Sequence, residues 1–297
     1  MRLALIADVH GNLEALEAVI ADIDERSPDA RIVCAGDVVG YGPDPEACID
    51  RLRSIGVPCV MGNHDEMVLG RRDFSRCVHS GITAALWTRQ NLSPGARAFL
   101  DSLPPWLEAT PHVVVCHGNL DNADTYVSDA VRAESALRQL EERWPRARML
   151  VCGHTHHAAV YSRERGFSLV HSTTELPLTP GIAHVVNPGA VGQSRDGKPL
   201  ARYAVFDAER QTIAYRELPY DHQATIHKMR CAGLVPKVIQ LRPRGIRRYV
   251  ESFKRRWSRY WAERGGRARG GRSAPAAQSA EPGDAVRTTA PRACRDS

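Results

Sequence analysis

Eight cysteines stand at 34, 48, 59, 77, 116, 152, 231 and 294 of this 297-residue sequence, yet no two of them form a Cys-x-x-Cys pair. Scattered single cysteines argue against both a disulfide framework and a zinc ribbon. They fit small buried thiols in a reducing compartment. Cys34, Cys116 and Cys152 each end an apolar run, so neighbouring strand ends can bring them together. No apolar run reaches the roughly 18 residues that a membrane-spanning helix needs. The opening Met1-Arg2-Leu3-Ala4-Leu5-Ile6-Ala7-Asp8 is too short for a signal peptide and has no small-residue cleavage site. A cytoplasmic protein is therefore expected. Lysine is scarce too, at 4 residues against 36 arginines, so the basic character is almost wholly guanidinium.

That basic character is unevenly placed. The chain holds 40 basic and 34 acidic residues, and residues 242–297 take 15 and 5 of them. Residues 1–241 are left with 25 basic and 29 acidic residues, a balance of −4. The body is mildly acidic and the C-terminal segment strongly basic.

Within the body, apolar runs of four or five residues alternate with helical patterns, the signature of strands joined by crossover helices. Strands are expected at Leu3–Ala7, Ile32–Ala35, Pro58–Met61, Val113–Cys116 and Met149–Cys152. Helices fit Leu13–Asp24, Pro45–Ser54, His79–Gln90, Pro94–Ser102 and Asp129–Arg143. The later runs Ser168–Ser172, Ala183–Val186, Arg202–Phe206 and Thr212–Glu217 read as a second, more antiparallel set. A domain over residues 1–245 is expected, followed by a basic segment, 246–297. Tyr249 to Trp261 fits a basic amphipathic helix, with Phe253, Trp257 and Trp261 four apart, and the Gly-, Arg-, Ser- and Pro-rich remainder has a composition for disorder.

Each early strand leads into residue types that bind metal. The series runs Asp8-Val9-His10, Gly36-Asp37, Gly62-Asn63-His64-Asp65, His117-Gly118-Asn119 and Gly153-His154-Thr155-His156. Singly, each is an ordinary turn or a core histidine; together they place five sets of donors at the carboxyl edge of one inferred sheet, where open α/β sheets build their sites. Carboxylate, imidazole and amide oxygen suit divalent ions such as Mn²⁺, Fe²⁺, Zn²⁺ or Ni²⁺. In extended chain, the spacing of two in Asp8-x-His10 and His154-x-His156 would put both side chains on one side. Glycines 11, 36, 62, 118 and 153 allow tight turns and close approach. Two ions about 4 Å apart can clamp a phosphoryl group and activate a water.

The ordered set DxH, GD, GNHD, H, GHxH resembles the calcineurin-like metallophosphoesterase superfamily over roughly residues 1–217. The resemblance implies an α/β fold, a four-layer α/β/β/α sandwich. It implies one metal on Asp8, His10 and His156, a second on Asn63, His117 and His154, and Asp37 bridging them, with manganese the first expectation. His64 would contact the phosphate and act as general acid, with Asp65 orienting its ring. Relatives such as the phosphoprotein phosphatases and diadenosine tetraphosphatases carry Asp-Arg-Gly after the second motif. Here Gly36-Asp37-Val38-Val39-Gly40-Tyr41-Gly42-Pro43 has no arginine. The chain instead resembles the small bacterial phosphodiesterase-like branch, with its late Asn187-Pro188-Gly189 loop, although Ala190 stands where serine is common. Arg195, in that loop, fits a replacement phosphate grip, since guanidinium binds phosphate bidentately; an arginine in a Gly-rich turn is the plainer reading. Tyr41 fits the wall of the substrate cleft or a simple turn, and Asn12 fits a helix N-cap or a substrate contact. His157 should point away from its neighbour His156, and His171 and His184 read as structural.

The expected activity is dimetal-dependent hydrolysis of a phosphodiester or small phosphate ester by metal-activated hydroxide. Rival readings are a phosphomonoesterase or protein phosphatase, a non-catalytic metal-binding scaffold, and a nucleic-acid-associated protein whose basic segment grips phosphates or an anionic membrane surface. Removing residues 246–297 is expected to leave the fold and the hydrolysis of a small model ester unchanged. It should abolish any salt-sensitive binding to nucleic acid or anionic lipid. A large drop in melting temperature on truncation would show instead that Phe253, Trp257 and Trp261 dock onto the body.

Overall fold

The computed structural model describes residues 1–239. The expected helix from Tyr249 to Trp261, the disordered segment and the boundary at residue 245 lie outside the described residues. Within them the chain is an α/β fold of two mixed sheets. The first sheet has the order β2 (Arg31–Cys34), β1 (Arg2–Ile6), β10 (Leu200–Asp207), β11 (Thr212–Pro219), β8 (Thr174–Pro177). The second has the order β3 (Trp106–Thr110), β4 (Val113–Cys116), β5 (Met149–Val151), β9 (His184–Asn187), β6 (Ala159–Ser162), β7 (Gly166–Leu169).

Period-two alternation sorts the side chains of these strands between different cores. Leu3 and Leu5 of β1 face Val113 and Val115 of β4 in one apolar cluster between the sheets. Ala4 and Ile6 turn the other way, toward α1 (Leu13–Arg26) and α2 (Pro45–Ser54), where Leu16, Val19, Ile20 and Ile49 are buried. On the far side, Val114 and Leu150 meet Ala133, Leu137 and Leu140 of α6 (Ala130–Arg143). The continuously apolar strands are those covered on both faces, as expected for buried sheet centres.

Helix ends follow their capping residues. Asn12 caps α1 by accepting from Ala15 N at 3.2 Å, so the cap reading of this residue holds. Asp129 caps α6 through Arg132 N, and Ser93 caps α5 (Pro94–Ser102), whose first residue is proline. With α4 (His79–Asn91), these helices lie within a residue or two of the expected bounds.

Two expectations are corrected. Pro58–Met61 forms no strand: Cys34 N donates to Pro58 O and Val60 N to Cys34 O, an isolated bridge. Proline has no N–H with which to continue the ladder. The early strands do not share one sheet either. β1 and β2 pair with each other, but β4 and β5 belong to the second sheet, and the late strands complete both: β10 pairs antiparallel with β1, β9 parallel with β5. Alternating strand and helix patterns imply crossovers without saying which sheet receives them. Two helices went unread. α3 (Asn63–Leu69) starts inside the third motif, and α7 (His222–Cys231) is nearly polar throughout, burying only Thr225 and Met229. α7 docks through Met229, which joins Ala84, Leu234 and Val238 in a small apolar cluster, and through polar contacts, Thr225 to Asn12 and Lys228 to Glu14 and Asp44. Among the described residues no helix is long and apolar enough to cross a membrane.

Leu137 and Val131 lie on the same helix, fully buried and 81% exposed respectively. Leu137→Ala should cost about 2–5 kcal/mol in urea unfolding and Val131→Ala under about 0.5 kcal/mol. Similar losses for both would place the α6 core elsewhere.

Candidate metal centre

The donor residues leave their strands and immediately turn. Asp8, His10, Asp37, His154 and His156 have φ of 55°, 53°, 54°, 64° and 61°, a left-handed conformation rare outside glycine. Each such residue costs on the order of 1–3 kcal/mol and persists only where the surroundings over-determine it. The extended geometry expected for the two x-spaced pairs is therefore replaced by consecutive tight turns. Cross-strand bonds hold them: Asp8 N donates to Gly36 O at 3.0 Å, His10 N to Asp37 O at 2.9 Å, and Gly153 N to His117 O at 2.8 Å. Gly62 is required by close approach, since a Cβ there would lie 2.1 Å from Asp37 Oδ1.

These turns gather donors from both sheets. Asp8, His10, Asp37 and His156 form one buried group and Asp37, His117 and His154 a second, with donor atoms in each within 4.8 Å of one another. Asn63 joins the second group, its Oδ1 lying 3.0 Å from His117 Nε2. Asp37 is common to both and lies 3.6 Å from His10 Nε2 and 3.3 Å from His117 Nε2. His157 is in neither group.

The arrangement fits a binuclear metal site, and hydrogen bonding shows why. His10 Nδ1 faces Val39 O at 3.2 Å and His156 Nδ1 faces Gln193 O at 2.6 Å. Carbonyl oxygens only accept, so both Nδ1 atoms carry the proton, and both Nε2 atoms present lone pairs. Those two Nε2 atoms lie 3.1 Å apart. Neutral imidazoles cannot hydrogen-bond in that way, and a shared cation satisfies both. Asp8 Oδ2, Asp37 Oδ2 and His154 Nε2 are buried without a hydrogen-bond partner. Burial pushes the Asp8 carboxyl up to about 7 and the His10 imidazole down to about 3, the direction expected of donors taken out of water. His117 goes the other way: burial opposes its charge, but Asp37 raises it to about 9. The gap between His117 Nε2 and the Asp37 carboxylate thus favours a positive charge.

The remaining expected residues border this centre. The His64 ring lies 4.9 Å from that of His10 and 4.7 Å from that of Tyr41, and its backbone N–H donates to Asp37 Oδ1 at 2.8 Å. Asp65 does not orient the His64 ring. Its carboxylate accepts from the backbone N–H groups of Val38, Val39 and Gly62, at 3.3, 3.0 and 2.9 Å, and so ties the second motif to the third. Tyr41 is buried with its ring edge on His10 at 4.8 Å. Arg195 reaches the centre from the loop after β9, donating to His154 O at 3.2 Å and Tyr126 OH at 3.4 Å. Tyr126, whose ring lies 4.1 Å from that of His154, was not singled out in the sequence because no motif surrounds it.

Residues 1–211 match the calcineurin-like phosphoesterase superfamily domain. An uncharacterized protein of Methanocaldococcus jannaschii is 33% identical over 237 residues, covering 76% of this chain and 91% of that protein. The crystal structure of a metallophosphoesterase from Sphaerobacter thermophilus is 32% identical with a TM-score of 0.66, covering 79% of this chain and 95% of that one. A hypothetical protein of Pyrococcus horikoshii shares the fold at 20% identity and a TM-score of 0.63, covering 80% of this chain and 95% of its own.

A carboxylate common to both groups should matter to both. Asp37→Asn is expected to reduce divalent metal well below about two ions per chain, measured by elemental analysis after gel filtration. Undiminished metal in that variant would remove Asp37 from the shared position.

Proposed function

We propose that this chain, which belongs to the calcineurin-like phosphoesterase superfamily, hydrolyses a phosphodiester or small phosphate ester on its four-layer α/β/β/α sandwich. The observation that carries this reading is the pair of buried His/Asp groups joined at Asp37, with His64 and Arg195 beside them. Asp8, His10 and His156 would hold one divalent ion and Asn63, His117 and His154 the other, with Asp37 between; manganese, iron, zinc and nickel suit these donors. When bound, such a pair supplies charge neutralisation at the phosphoryl oxygens and activation of water.

The chain's own groups do the rest. Val39 O, Ala35 O and Gln193 O fix the Nδ1 protons of His10, His117 and His156, keeping each Nε2 turned to the centre. Asp65 ties the backbone just after Asp37 to that of Gly62. The Nδ1 side of His64 packs on Gly40, where an added Cβ would lie 2.8 Å from that nitrogen. This leaves Nε2 to meet the phosphate and pass a proton to the leaving oxygen. Arg195 grips the phosphate in place of the arginine missing after Asp37, and Tyr41 lines the cleft. That missing arginine favours a diester over the monoesters of the phosphatase branches.

A second reading concerns the partner. Ser194 N donates to Val238 O at 3.1 Å and Ser194 bridges Ile239, so the last described residues lie beside the Arg195 loop. A segment with 15 basic residues starting there suits a polyanionic substrate such as nucleic acid.

The test is His64→Ala in the metal-loaded protein. Metal content and fold should persist, while turnover of an ester with a poor leaving group falls roughly 10²–10⁴-fold. A nitrophenyl ester, which needs less protonation, should lose less. Equal losses would assign His64 to phosphate binding, and no loss on either substrate would remove it from catalysis.

A further inference from the structure

The loop that carries Arg195 joins β9 of the second sheet to β10 of the first and is held in place by a second arginine, Arg202. Arg202, on β10, is 5% exposed and pairs with Asp196 and, at 2.6 Å, with Glu217. Its backbone N–H donates to Ala190 O at 2.9 Å. Gly189 lies against its stem: a Cβ there would fall 2.9 Å from Arg202 Cβ. One residue therefore grips the loop at both ends, at 190 through its backbone and at 196 through its guanidinium. Between them, Ser194 Oγ donates to Asp196 Oδ1 at 2.5 Å. Arg195 sits between Ser194 and Asp196, so fixing those two neighbours fixes where its side chain departs.

An exposed ion pair would hold little, because salt and side-chain entropy erode it. This one is largely buried, and a carboxylate stripped of its partner there is strongly disfavoured. The pairing is thus a geometric constraint on the loop more than a source of stability.

We propose that the buried Arg202–Asp196 pair, relayed through Ser194, is the positioning element that aims the Arg195 guanidinium at the phosphate-binding face of the metal centre. The inference rests on the reading of Arg195 as the phosphate grip. Arg202 and Asp196 are positioning residues that touch neither metal nor phosphate.

Inorganic phosphate binding to the manganese-loaded protein, measured by titration calorimetry, tests it without reference to turnover. Arg195→Ala should weaken phosphate roughly 10–100-fold, the loss of a charged hydrogen-bonding group. Asp196→Asn should weaken it at least about threefold with metal content unchanged, and the Arg195→Ala/Asp196→Asn double variant should bind no worse than Arg195→Ala alone. Asp196→Glu should recover part of the loss. Leu137→Ala, which destabilises the far side of the second sheet, should leave phosphate affinity unchanged; a matching loss there would reduce the Asp196 effect to general loosening and overturn the proposal. Ser194→Ala, which deletes only the relay hydroxyl, gives the same reading if Asp196→Asn fails to fold. Wild-type affinity in both Asp196→Asn and Ser194→Ala, or additive losses in the double variant, overturns the positioning role and leaves Arg195 as grip. Wild-type affinity in Arg195→Ala overturns the underlying reading instead.

Discussion

The fold is organised around the enclosure of Asp37. Its carboxylate is buried, takes a backbone N–H from His64 on one oxygen and turns the other toward His10 and His117. A buried carboxylate is tolerated only when it is paired and hydrogen-bonded. Here the backbone donor comes from the N-terminal turn of α3, and the charge balance comes from whatever sits among the imidazoles. The facing lone pairs of His10 and His156 make the same demand from the other side. Packing alone would not assemble these groups; a cation makes them mutually supportive, and metal binding then becomes folding energy for the turns that present them.

Much of this was legible in sequence because the signal is one of order. Five short motifs, each after an apolar run, named the donors before any contact was known, and the structure brings Asp8, His10, Asp37, His117, His154 and His156 into two adjoining groups. The physical reason first attached to the spacing was wrong. Asp8 and His10 converge through left-handed turns, not through an extended strand; aspartate and histidine adopt that conformation more often than most residues, but no pattern in the sequence marks it here. Sheet membership was equally hidden. A buried parallel strand reads the same in either sheet, and β4 declares its place only through Val113 and Val115 meeting Leu3 and Leu5. Asp65 stands beside a histidine in sequence, yet spends its oxygens on backbone N–H groups 26 and 27 residues away. Tyr126 had no pattern at all.

Two sheets explain why the centre is so enclosed. The first supplies Asp8, His10 and Asp37 from the ends of β1 and β2, the second His117, His154 and His156 from the ends of β4 and β5. The cluster between the sheets holds those two edges in register, so the spacing between the groups is set by core packing rather than by any loop. The loop after β9 then closes the floor: Val191 and Gly192 donate to Ala7 O and Asp8 O, and Gln193 O takes the proton of His156. At Gly192 a Cβ would lie 1.8 Å from Val9 O, so this contact excludes every other residue there.

That same loop carries Arg195, and here the chain departs from relatives that place an arginine directly after the second motif. An arginine shortly after Asp37 would stand on the same segment as a metal donor. As proposed above, the gripping guanidinium of this chain is that of Arg195, on a separate segment fastened to β10 through Arg202 and Asp196 and to the Val238–Ile239 stretch through Ser194. Neither fastening involves Asp8, His10, Asp37, Asn63, His117, His154 or His156. Under the proposed reading, phosphate affinity and metal affinity are then governed by different residues.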